Sequence, residues 1–222
     1  MKSFVHLVRP RLCLLAVAAL LSATAHAAVF SFNTDPFAGS TALTTPGRQV
    51  VGGEDFITFS TANDMFSFNP AVFAIGNSLQ FASGLAANLP ASGVNVIALL
   101  SFDDDANAAT GFGAGNAANL IATQTTSPGA GFFIYFNSGL DLARLVYSTD
   151  LNDNTADLKI VARMTNLSGQ AGRTAMSTFS AANFQVNNVP DSGSALMLML
   201  AVSAVMVGVR GLGRQCVRAR AS

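Results

Sequence analysis

The sequence predicts an all-β fold, a β-sandwich or jelly roll, for the stretch between Val29 and Val186. Two observations carry this. Gly, Asn, Ser, Thr and Asp punctuate the stretch every several residues, and Phe, Val and Ile dominate the short runs between them. Helical periodicity is almost missing from the same residues.

The elements follow in order. Strands are predicted at 29–33, 55–60, 71–75, 78–82, 94–102, 118–123, 131–136, 142–149, 158–165 and 184–186. The best-defined unit is a hairpin of the 142–149 and 158–165 runs. In its second strand Leu158, Ile160, Ala162 and Met164 alternate with Lys159, Val161, Arg163 and Thr165, so one face is core and the other largely wet. By contrast, Phe132-Phe133-Ile134-Tyr135-Phe136 is apolar on both faces, the pattern of a central strand covered from both sides. A short helix is predicted at 174–183, although Ser and Thr are poor helix formers.

The two ends of the chain follow a different grammar. Lys2, Arg9 and Arg11 precede an apolar run from Leu12 to Leu21, and Ala25-His26-Ala27 supplies a small-x-small cleavage site. This is a secretory signal peptide over 1–27, cut between Ala27 and Ala28. Ten apolar residues make only about 15 Å of helix against roughly 30 Å of hydrocarbon, too short for a lasting anchor. At the other end Val189, Pro190, Asp191, Ser192 and Gly193 lead into an uncharged apolar stretch at about 195–209, then Arg210, Arg214, Arg218 and Arg220. Such a stretch is a short transmembrane helix whose arginines stay on the cytoplasmic side, leaving the preceding domain outside.

This C-terminal tail, 189–222, resembles the PEP-CTERM class of bacterial sorting signals, in its VPDSG variant. That class shares a Pro-containing pentapeptide, a short membrane stretch and an Arg-rich end. The resemblance implies recognition and cutting by an exosortase, a membrane-embedded cysteine peptidase, and association with exopolysaccharide and biofilm matrix. Here Asp191-Ser192-Gly193 replaces the commoner Glu-Pro ending, and Cys216 interrupts the basic end. The segment 129–164, with Gly-Phe-Phe-Ile-Tyr-Phe-Asn-Ser-Gly-Leu-Asp-Leu and Ser-Thr-Asp-Leu-Asn-Asp-Asn-Thr-Ala-Asp-Leu, is similar to ectodomains carrying such tails. It implies a shared fold and surface location and brings no assigned activity.

Between these ends lies one ectodomain, 28–188, with five cations against eleven acids and thus a formal charge of −6. A surface of that sign disfavours nucleic acid or anionic membrane as a partner, since either needs clustered cations. Both cysteines, Cys13 and Cys216, and both histidines, His6 and His26, fall outside 28–188, which also has no Trp. Disulfides, Cys/His zinc sites and a histidine general base are therefore excluded from it.

Two acidic clusters are the candidate metal ligands: Asp103, Asp104 and Asp105 with Asn107, and Asp150, Asn152, Asp153, Asn154 and Asp157 in the hairpin loop. Oxygen donors at this density suit Ca²⁺. The second cluster fails the EF-hand pattern, with Thr155 at the glycine position and Val161 at the final glutamate position. The competing reading, which weighs more, is turn chemistry, because Asp and Asn side chains bond their own backbone.

Other motifs carry less. Asp191-Ser192-Gly193 matches the aspartic-peptidase triplet, but that chemistry needs two such loops sharing a proton and only one is present. Gly111-Phe112-Gly113-Ala114-Gly115-Asn116 lacks the Gly-Lys-Ser/Thr ending of a phosphate loop and is read as a surface loop. Phe residues without Trp suit core packing better than a sugar platform.

The reading is a non-enzymatic exported protein, at the cell surface, outer envelope or extracellular matrix, transiently anchored by its C-terminal helix. Its role is structural or adhesive within exopolysaccharide or biofilm. Its partners are signal peptidase, an exosortase-type enzyme and exopolysaccharide. The alternatives are a calcium-dependent carbohydrate-binding module and a carboxylate-dependent polysaccharide hydrolase, which would need two carboxyls about 5 to 9 Å apart in a cleft.

Overall fold

The computed structural model describes residues 27–107 and 109–187, and these are β-rich with few helices. The expected signal peptide through His26, the pentapeptide at 189–193, the expected membrane stretch and Arg210, Arg214, Arg218 and Arg220 lie outside the described residues. Among the described residues no helix is long and apolar enough to cross a membrane.

The smaller sheet is assembled from one repeated pattern. Strands β1 (Val29–Phe32), β4 (Met65–Phe68) and β10 (Phe184–Val186) lie side by side in the order β1-β4-β10, all parallel. Their register aligns Phe30 with Phe66 and Phe184, and Phe32 with Phe68 and Val186. Because side chains alternate along a strand, these rows share one face while Ser31, Ser67 and Gln185 share the other. The apolar face joins the phenylalanine cluster of the larger sheet.

The larger sheet runs β2-β9-β8-β7-β6-β5, built from β2 (Val50–Val51), β5 (Phe81–Gly84), β6 (Val96–Leu99), β7 (Gly131–Asn137), β8 (Leu142–Ser148) and β9 (Leu158–Ser168). β3 (Asp55–Ile57) pairs with β9 beyond β2. Among the described residues of this sheet only β7–β8 and β8–β9 are antiparallel; β2 and β3 on β9, β5 on β6 and β6 on β7 are parallel. An antiparallel jelly roll is not what forms, since parallel neighbours need long crossovers rather than tight turns.

Both faces of this sheet are covered. Phe132, Ile134 and Phe136 of β7 enter the cluster shared with the small sheet, where Phe68 stacks on Phe132 at 3.7 Å and Phe59 on Phe66 at 4.2 Å. Phe133 and Tyr135 enter a second cluster closed by helix α2 (Ala114–Ala122). The apolar-both-sides reading of this strand is what the structure has. Gly131, at its start, leaves no room for a side chain, because a Cβ there would come within 2.5 Å of both Asn95 O and Leu151 Cδ1.

Several expectations are corrected. In place of the 71–75 strand, residues 71–73 complete helix α1 (Pro70–Phe73), which Asn69 caps by accepting Ala71 N–H and which Pro70 opens, a helix-start signal that outweighs the β-branched Val72. α2 replaces the 118–123 strand and the second half of the 111–116 surface loop, residues 114–116, while 111–113 remain outside regular structure. Ala114, Ala117, Ala118 and Ile121 recur at helical spacing and are buried, as is Phe112 just before them. The 174–183 helix is displaced to α3 (Gly169–Met176), followed by a 3-10 turn at Ala181–Asn183.

The hairpin forms, and Lys159, Arg163 and Thr165 stay at least partly exposed, but Val161 is buried and the four core residues do not share one face. A register shift pairs Leu145 with Ala162 and Val146 with Ile160, leaving Val161 as an extra residue. A bulge reverses the alternation beyond it. Leu158 and Ile160 therefore pack under α2, whereas Val161, Ala162 and Met164 pack into the phenylalanine cluster. β2 and β4 were not predicted; β2 has two residues and β4 only four.

Candidate functional site

The acidic loops sit at the two ends of α2. At its N-terminal end, Asp103, Asp104 and Asp105 bring carboxylate oxygens within 4.8 Å of one another. The loop is folded by successive side-chain-to-backbone bonds. Asp103 Oδ1 accepts Asp105 N–H, Asp105 Oδ1 accepts Asn107 N–H, and Asn107 Oδ1 accepts Ala109 N–H, at 3.1, 2.9 and 3.1 Å. Thr110 Oγ1 donates to Asp105, and Asn116 Nδ2 donates to Asp104 Oδ2 at 2.7 Å, tying the loop to the first turn of α2. The Asn107 N–H and then the Thr110 hydroxyl hold the Asp105 carboxyl below its ordinary range.

At the C-terminal end, Asn152, Asp153 and Asn154 line a surface hollow with Ala122 and Thr123. The carboxylates of this second loop are aimed at backbone donors. Asp150 Oδ1 accepts Gly129 N–H and Asn152 N–H, and Asp153 Oδ1 accepts Thr155 N–H, which lowers the Asp153 carboxyl. Asp157 is buried and reaches across to Leu43 N–H and Gln49 N–H, both at 2.6 Å. Asp150, Asp153 and Asp157 do not converge with other His, Cys, Asp or Glu groups to hold a metal ion among the described residues. Arg48 stitches the loop to α2, donating to Ala156 O, Gly115 O and Asn119 Oδ1 at 3.0, 2.8 and 2.8 Å.

Of the two clusters, then, Asp103, Asp104 and Asp105 form a group of hard oxygen donors, while Asp150, Asn152, Asp153, Asn154 and Asp157 organise a turn. Of the residues expected to flank signal cleavage, Ala27 and Ala28 are described, and Ala25 lies outside the described residues.

A third charged group escaped the sequence reading. Where the chain passes from β2 to β3, the three residues 52–54 stand opposite Ile160 and Val161, and the extra length turns Glu54 over the sheet. Its Oε1 accepts Arg144 Nη2 as well as Arg163 Nε at 3.1 Å and Arg163 Nη2 at 2.5 Å. Arg163 also lies over the Phe56 ring, 4.7 Å from its centre. Arg144 Nη1 and Asn137 Nδ2 both approach the buried Tyr135 hydroxyl, at 3.5 and 2.9 Å. Burial alone would raise the Glu54 carboxyl, but its own backbone N–H and the two guanidinium groups hold it down to about 2. The residues involved are far apart in sequence, so no local pattern announces them.

The resolved carboxyl shifts, at Glu54, Asp105 and Asp153, all run downward. A proton-donating carboxyl for glycoside cleavage needs the opposite displacement.

Glu54→Gln is expected to lower unfolding free energy at pH 7 by about 2–3 kcal/mol, because it strands two half-buried guanidinium groups. Since the folded carboxyl lies below its ordinary 4.5, its contribution is complete above roughly pH 5 and is lost as pH falls toward 2. Denaturant titrations of both proteins should therefore differ at neutral pH and converge in acid; equal stability at pH 7 contradicts the role given to Glu54.

Comparison with family models, curated proteins and solved structures returns no match to this chain.

Proposed function

We propose that the chain is an exported surface protein, a β-sandwich ectodomain sorted through its C-terminal tail, with a structural or adhesive place in the extracellular matrix. The observation that carries this is the order of Val189-Pro190-Asp191-Ser192-Gly193, apolar stretch and arginines, preceded at the other end of the chain by a charged, apolar and small-x-small leader. Two stacked sheets sharing one phenylalanine cluster support the sandwich reading.

Signal peptidase and an exosortase-type enzyme are the processing partners, and exopolysaccharide is the matrix partner. A chain with these signals, recovered from the cell surface or medium, should have an intact mass that begins at Ala28 and ends between Val189 and Gly193. A product that retains the first 27 residues or Arg220 contradicts the reading.

The second reading, a calcium-dependent module, is favoured by the three exposed carboxylates at 103–105. Any ligand that binds only the folded form raises its melting temperature. If this loop takes calcium, millimolar Ca²⁺ should raise Tm in the chain and not in Asp103→Asn; an unchanged Tm removes the module.

A further inference from the structure

At the N-terminal end of the small sheet one ionisable side chain stands alone. β1, the turn at 60–64, β4, the Ala181–Asn183 turn and β10 contain no Lys, Arg, His, Glu, Tyr or Cys, and Asp64 is their only acid. Asp64 is 8% exposed. Its Oδ2 accepts Ser60 N–H at 2.8 Å and its Oδ1 accepts Ala28 N–H at 2.9 Å. Its backbone is fixed as well, through Asp64 N–H to Ser60 O and Asn183 Nδ2 to Asp64 O. Among the described residues it has no ion-pair partner, and Arg173 of the neighbouring helix α3 is committed to Asp141. A buried carboxylate ordinarily has a cation to offset its desolvation.

Leader removal at the expected site would supply one. Ala28 N is the atom that leader removal would free: hydrolysis of the Ala27–Ala28 bond takes up one water, leaves a carboxylate on Ala27, and leaves on Ala28 an amine that binds a proton at neutral pH. That nitrogen already lies on Asp64 Oδ1, and Ala28 O is held by Met65 N–H at 2.9 Å, so no rearrangement is needed. We propose that Asp64 is the binding site for the α-ammonium of the mature chain, so that leader removal turns a neutral hydrogen bond into an ion pair that locks β1 onto β4. This rests on cleavage at Ala27–Ala28 as proposed above. Any residue left in front of Ala28 denies Asp64 its charge partner.

The sign of the pH dependence follows. A free α-amine titrates at about 7.7–8.0, and a neighbouring carboxylate raises that value. The stabilisation is therefore complete below about pH 7.7 and fades as pH rises through the raised value.

The test uses the chain expressed with its own leader and recovered after export. Its intact mass is read first, then the pH dependence of amine acylation at the N-terminal peptide. The expected midpoint is at least one unit above that of a short Ala-Val-Phe peptide, corresponding to roughly tenfold less free amine at about pH 6.5 and roughly four- to fivefold less at pH 8. Asp64→Asn should return the midpoint to the peptide's value and remove the excess of Tm at pH 6 over pH 10. The midpoint of the unaltered chain decides the matter even if that variant does not fold. A product beginning at Ala28 with an ordinary midpoint overturns the ion pair alone. A product beginning elsewhere overturns the processing reading and the ion pair with it.

Discussion

The stacking of phenylalanines between the two sheets is the contact on which the rest of the structure depends. Phe68 lies 3.7 Å from Phe132 across the interface, and Phe59 and Phe66 are nearly coplanar in orientation, 7° apart at 4.2 Å. Each such ring removes some 150–250 Å² from water, and ring pairs add a modest further attraction. With no cysteine between Ala28 and Asn187, no disulfide can share this task. The small sheet has three short strands, and its inner rows of Phe30, Phe66, Phe184, Phe32 and Phe68 are what attaches it.

From that contact the positions of the other features follow. β7 is filled on both faces, which obliges α2 to close the far side, and α2 in turn carries the two acidic loops at its ends. The Val161 bulge lets β9 serve both clusters in succession. Glu54 pins the crossing from β2 to β3 at the edge of the same strand, and Asp64 sits where β1 enters the small sheet. The buried charges thus lie where chain segments enter or cross, not in one shared cleft.

How much of this was legible depended on the length of each signal. β7, β8 and β9 span seven residues or more, enough for apolar runs and alternation to show, and β10 was read with its bounds. β2 is too short to present a period, and a strand at 118–123 is overturned by the helical spacing of Ala114, Ala117, Ala118 and Ile121, which begins before it. The acidic loops were visible because their residues are adjacent in sequence. Glu54 meets Arg144 and Arg163 across 90 and 109 residues, and Asp64 meets Ala28 across 36, pairings that only the folded topology creates. That only some of the acids converge was equally a matter of topology, since Asp157 is drawn away to Leu43 and Gln49.

The most direct measurement is native-state hydrogen exchange of the backbone amides across both sheets. If the phenylalanine contact makes one cooperative body, amides of β4 at Phe66 and Phe68 and of β7 at Phe132 and Ile134 should exchange only through global unfolding, with the same free energy. The loop at 103–107 should exchange far faster. Amides of β4 that open at a free energy well below those of β7 would show that the small sheet is only loosely attached, and would contradict the dependence placed on the inter-sheet stack.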